Sequence, residues 1–147
     1  MADIVLALRP EWLDLILRDK KTVEFRRSMP KDLKPGDKVY LYCRRYIHGV
    51  ATVKDVHYGT SGQLATEYAH QGCIDRNVAQ LYLNGGKRPG VIELEDAYYD
   101  RFFWAGPVVQ NFVYFNGKGT KDWLNYEAGE VGTEVPCSED GKEQNND

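Results

Sequence analysis

The chain reads as an α+β fold, a small mixed β-barrel with about three short helices. Three observations predict it: extended segments rich in aliphatic and aromatic residues, three short helical segments set among them, and proline- and glycine-marked turns between. The 147 residues, 42% of them hydrophobic and 28% charged, can bury one core without disulfide or metal staples. Closure of the sheet is expected because it removes exposed edges.

The elements follow in order. Residues 3–8 (DIVLAL) are aliphatic, stop short of Pro10, and predict a buried strand. Pro10 suits a first helical turn, and Trp12, Leu13, Ile16 and Leu17 recur at helical spacing, so residues 10–19 predict an amphipathic helix packing by Trp12 and Ile16. Residues 22–26 (TVEFR) alternate, which sets Val23 and Phe25 on one face and Thr22, Glu24 and Arg26 on the other, solvated face. Lys34-Pro35-Gly36-Asp37 has the residues of a type II turn and feeds a strand over 38–44, with Val39, Leu41 and Cys43 inward. A second strand runs over 47–57, with Gly49 as a bulge or close-approach point. Ser61 is expected to cap one helix, reaching about His70, and Asp75 another carrying Val78, Leu81 and Tyr82. Strands are expected at 91–95, then at 98–104 and 111–115, with a helical turn at 121–124 docking Trp123. The aromatics of 98–104 are expected in the core or along a groove rim.

Apolar runs are no longer than five or six residues, against the roughly 20 of a membrane-spanning helix, and Met1-Ala2-Asp3 opens no leader-like segment. No membrane association and a cytoplasmic location are expected. Three scattered cysteines, Cys43, Cys73 and Cys137, without a CxxC pair fit a reducing compartment. The histidines, with Cys73 three residues after His70, lack the paired spacing of a zinc site, so neither metal nor cofactor is expected.

The net charge of −3 argues against a polyanionic partner only until it is mapped. Residues 126–147 carry seven acids and one base and read as an acidic, disordered tail; residues 1–125, the folded domain, sum to +3. Residues 18–45 alone carry ten bases against four acids. Within them Thr22, Glu24 and Arg26 offer a hydroxyl, an anionic acceptor and a planar fork of donors in one row, which can read a base edge. Lys20, Lys21 and Arg27 add phosphate-neutralising charge, and Tyr42 and Arg44, beside Tyr40, can stack an unpaired base. The plainer alternative is a Glu24–Arg26 pair on an ordinary solvated strand.

A helix running into KKTVEFRR (20–27), then a short loop and KPGDKVYLY (34–42), resembles the ASCH domain, a branch of the PUA-like superfamily. The resemblance is specific over residues 3–57 and extends weakly to about 115. It implies a PUA-like barrel that binds RNA or a modified nucleoside in a basic cleft around residues 20–27. One ASCH group is also similar here and hydrolyses the acetyl amide of N4-acetylcytidine with a lysine, a threonine nucleophile and a distal carboxylate. Lys21 stands in the lysine's place, but Glu24 stands where the threonine would be, and the distal position falls near Gln71-Gly72-Cys73, with Glu67 and Asp75 as imperfect counterparts. The expectation is therefore RNA or nucleoside binding. The alternatives are a hydrolase acting on acetylcytidine or RNA phosphodiesters through Lys21 and Glu24, and a regulatory module whose acidic tail binds a protein partner.

Overall fold

The computed structural model describes residues 2–115 and the backbone of a strand at 124–125. The elements are β1 (Ile4–Ala7), α1 (Pro10–Leu17), β2 (Val23–Arg26), β3 (Lys38–Cys43), β4 (Tyr46–Tyr58), α2 (Ser61–Tyr68), α3 (Arg76–Leu83), β5 (Gly90–Trp104), β6 (Phe112–Tyr114) and β7 (Leu124–Asn125). They form a curled mixed sheet in the order β2-β5-β4-β3-β1-β6, with β7 on β5. β1 and β3 are parallel, Ile4 facing Val39 and Leu6 facing Leu41, and the other pairs are antiparallel. The parallel pair explains why residues 4–7 carry no polar member: all four are buried.

Local chemistry sets several boundaries. Pro10 occupies the first turn of α1, which buries Leu13 and Ile16 and ends where Asp19 enters the left-handed region at φ 60°. Gly36, at φ 95°, supplies the conformation that the turn before β3 demands, and Asp37 locks it by donating its N–H to Lys34 O and accepting from Lys34 N–H. At Gly49 a Cβ would stand 2.5 Å from Tyr98 O and 2.7 Å from Leu17 Cδ2, so the expected close approach is present, beside a register shift in the β4–β5 ladder. α2 is capped by Thr60 rather than Ser61, through a reciprocal bond with Gln63. Asp75 caps α3 as expected.

Other expectations about the elements are corrected. Residues 90–104 form one continuous strand where two were expected, bending at Asp96 (φ 53°). Arg44 is not in a strand; it and Arg45 form the two-residue turn between Cys43 and Tyr46, with φ of 51° and 73°. α3 packs by Ala79 and Leu83, one turn apart, which leaves Val78 and Leu81 exposed. Leu124 lies in a strand rather than a helical turn, while 121–123 and the acidic tail lie outside the described residues.

Among the described residues, three clusters build the core. One runs from Ile4, Leu6 and Leu8 through Val39, Leu41 and Ile92 under α1; a second joins Val5, Tyr42, Ile47, Phe102 and Trp104; the third seats α2 and α3 on Val23, Phe25 and Val91. Phe102 and Trp104 are buried, whereas Tyr98 and Tyr99 remain exposed. Cys43 is buried in the first core cluster, as its inward position on β3 predicts, and the Cys73 thiol is free and half-buried. Among the described residues no helix is long and apolar enough to cross a membrane.

Candidate functional site

β2 lies at one end of the sheet path, paired with β5, and all four of its residues are buried rather than half-solvated. Alternation alone would put Lys21 beside Val23 and Phe25. Extended geometry starts only at Val23, however, because the N–H groups of Lys20 and Lys21 both still bond back to Leu15 O. That tight exit from α1 turns Lys21 toward Glu24.

Lys21 is 3% exposed, and three kinds of partner hold its ammonium. It lies 3.3 Å from Glu24 Oε1, donates to Gly72 O at 2.9 Å, and sits over the Trp12 ring at 4.8 Å from its centroid, with Phe25 at 6.0 Å. Gly72 is required here, since a Cβ would come within 2.6 Å of the Phe25 ring. The place against Lys21 is thus taken by a backbone carbonyl. Of the two candidate distal carboxylates, Asp75 is committed to capping α3 and Glu67 is exposed on α2.

The other oxygen of Glu24 meets Arg26 Nε at 3.4 Å. Arg26 is fully buried and spans the seam between β2 and the far end of the sheet, donating to Ala7 O on β1 and to Asn111 Oδ1, 3.2 Å away, just before β6. Its fork is therefore occupied in holding the curled sheet together.

The remaining predicted residues separate. Thr22 and Lys20 are exposed at the α1–β2 junction, and the Lys20 carbonyl accepts from Cys73 Sγ. Arg27 donates to Asn84 O at 3.4 Å, near the end of α3. Tyr42 is 2% exposed within the second core cluster, so its ring offers no face to a ligand. Arg44 stands at the β3–β4 turn.

A cleft of about 240 Å³ opens on the Lys21–Glu24 pair, lined by Arg9, Glu11, Trp12 and Phe25 on one side and Ile74, Val78 and Tyr82 on the other. The second wall comes from α3 and the residue before its cap, about 50 positions away in sequence, which no local pattern pairs with β2. The usable sequence signal was α3 itself, whose apolar Val78 and Tyr82 lie one turn apart and off the Ala79–Leu83 packing face. Trp12, expected as plain packing, is partly buried and also walls the cleft.

The histidines take three different roles. The buried His48 ring bonds to Cys43 O, His70 is exposed, and His57 Nε2 lies 2.9 Å from Glu93 Oε1.

Residues 6–114 match the sequence profile of the ASCH domain. Among solved structures the chain is similar to ASCH from Zymomonas mobilis, with 20% identity, a TM-score of 0.70, and coverage of 82% of this chain and 91% of that one. Two single-substitution variants of the same protein match at 18% identity and TM-score 0.70, the alignments covering 82% and 88% of this chain and 93% and 95% of theirs. The curated proteins contain no significant match. The architecture is that of the α+β PUA-like barrel.

Proposed function

The chain belongs to the ASCH domain family, and from that premise we propose that it binds RNA or a modified nucleoside through one base inserted in the cleft beside β2. The observation that carries this reading is a buried ion pair, Lys21–Glu24, at the base of a cleft walled by Trp12, Phe25 and Tyr82. Aromatic faces stack any unpaired base, and the charged floor can discriminate among base edges. Both contacts of Glu24, at 3.3 and 3.4 Å, exceed the roughly 2.7–2.9 Å of a tight charge-assisted bond, so the carboxylate keeps capacity to accept from a ligand amino or ring N–H. The cleft volume falls below the roughly 300–1,000 Å³ of pockets for drug-sized ligands, which suits a single base rather than a folded oligonucleotide. Arg9, which lines the cleft and is exposed, and the exposed Lys20, next to Lys21 in sequence, can meet phosphate.

The test is a chemical-shift titration with nucleosides, acetylated cytidine among them, and short single-stranded RNA. Saturable shifts at Trp12, Lys21, Glu24, Phe25 and Tyr82 are expected. Their absence, or shifts confined to another face, overturns the reading.

One observation favours a second reading. A carboxylate held 3.3 Å from an ammonium in a cleft is also an arrangement for water activation, with Glu24 as general base and Lys21 stabilising the developing anion. A covalent route is less suited, because Thr22 is exposed and does not line the cleft. Turnover of N4-acetylcytidine or single-stranded RNA that disappears in Glu24→Gln would establish the hydrolase. Intact substrates after prolonged incubation would remove it.

A further inference from the structure

Away from the cleft, the β4–β5 ladder brings three potential ligands onto one face. Asp55 and His57 are two residues apart on β4 and so point the same way, and Glu93 stands directly opposite Asp55 in the antiparallel register. Their ligand atoms lie within 4.8 Å of one another: His57 Nε2 is 2.9 Å from Glu93 Oε1 and 4.0 Å from Asp55 Oδ2. Two carboxylates facing each other across strands repel unless a cation lies between them. The nearby ammonium, Lys54, reaches only to 3.9 Å from Glu93 Oε2, and its side chain is 58% exposed, so it compensates weakly. The imidazole is oriented by stacking on Tyr68 of α2, with ring centroids 4.8 Å apart and planes at 25°.

We propose that Asp55, His57 and Glu93 form a binding site for a first-row divalent transition cation, zinc foremost, with water completing its shell. Two ligands about 2.1 Å from such an ion and roughly 90–110° apart are separated by about 3.0–3.4 Å. The His57–Glu93 pair already has about that spacing, and the exposed Asp55 side chain has to swing inward, from 4.0 Å to His57 Nε2 and up to 4.8 Å to the Glu93 oxygen, to join them. One imidazole nitrogen with two carboxylate oxygens selects an ion that accepts nitrogen over magnesium, which keeps oxygen ligands and its own water. The carboxylates come from neighbouring strands far apart in sequence, which is why the histidine spacing alone gave no sign of the site. The proposal is independent of the nucleoside reading.

The test uses the full chain without a histidine tag, stripped with chelator and titrated with zinc by calorimetry, with magnesium as control. Saturable binding of one zinc ion is expected, weakened at least about tenfold by Asp55→Asn and by His57→Gln and unchanged by Cys73→Ser, while magnesium gives no comparable heat. Asp55 is exposed, so its variant keeps the fold and remains informative should His57→Gln unfold. As a second readout, manganese should broaden the His57 and Tyr68 ring resonances in the parent chain and spare them in Asp55→Asn. No saturable zinc binding, or binding that both ligand variants retain, overturns the assignment.

Discussion

The two ends of β2 carry the same kind of side chain to opposite uses. Leading into the strand, two residues before Val23, Lys21 forms the floor of a cleft with the near oxygen of Glu24. Five residues after Lys21, Arg26 is equally buried but spends its fork on Glu24, the Ala7 carbonyl and Asn111, joining β2 to the far side of the curled sheet. The difference teaches that a basic motif does not translate into a basic surface. Burial and the supply of acceptors decide which cation can meet a ligand, and only the first of these two stands beside open volume.

The sharpest way to break this comparison is Arg26→Met. Removing one member of a buried charge network and unbridging the seam should cost about 3–5 kcal/mol in urea unfolding. A loss under about 1 kcal/mol would mean that the seam holds without Arg26. Trp12→Ala comes next: stacking accounts for about 1–3 kcal/mol per base, so nucleoside affinity should fall by roughly 5- to 150-fold, with a smaller stability loss than in Arg26→Met. Unchanged affinity would empty the cleft of its assigned role. Glu24→Gln keeps the side-chain shape and tests the floor; the ranking of nucleosides should change by about 3- to 10-fold in a competition titration, whereas uniform weakening would deny Glu24 a part in discrimination. The smallest effect is expected from Lys20→Gln, which should lower RNA affinity about equally across sequences and reduce the salt slope by roughly 0.7 of a unit. A sequence-dependent effect there would move base reading to the rim.

Much of the fold was legible because its signals are local. The aliphatic run at 4–7, Pro10 opening α1, the Pro35-Gly36 turn and the Asp75 cap each depend on neighbours in sequence and stand where expected. The family motif pointed to the segment, 20–27, that carries the buried Lys21–Glu24 pair, but not to the division of labour within it. Thr22, Glu24 and Arg26 looked like one solvated row because alternation reports faces, not coverage; α2 and α3 over one face and the Arg26 seam on the other bury the strand. Tyr42 looked available for stacking for the same reason, and the second core cluster covers it.

By itself, then, the sequence determined the fold class, the order of most elements and the segment in which the ASCH motif concentrates charge, since periodicity, capping and turn chemistry act over a few residues. Only the tertiary structure decided that Gly72 O would meet Lys21, that α3 would supply the cleft's second wall, and that Glu93 would stand across from Asp55 and beside His57. The partners in those contacts lie 36 to 51 positions apart in the hydrogen-bonded cases. What brings them together is strand register and the burial of apolar faces, which are properties of the folded sheet as a whole.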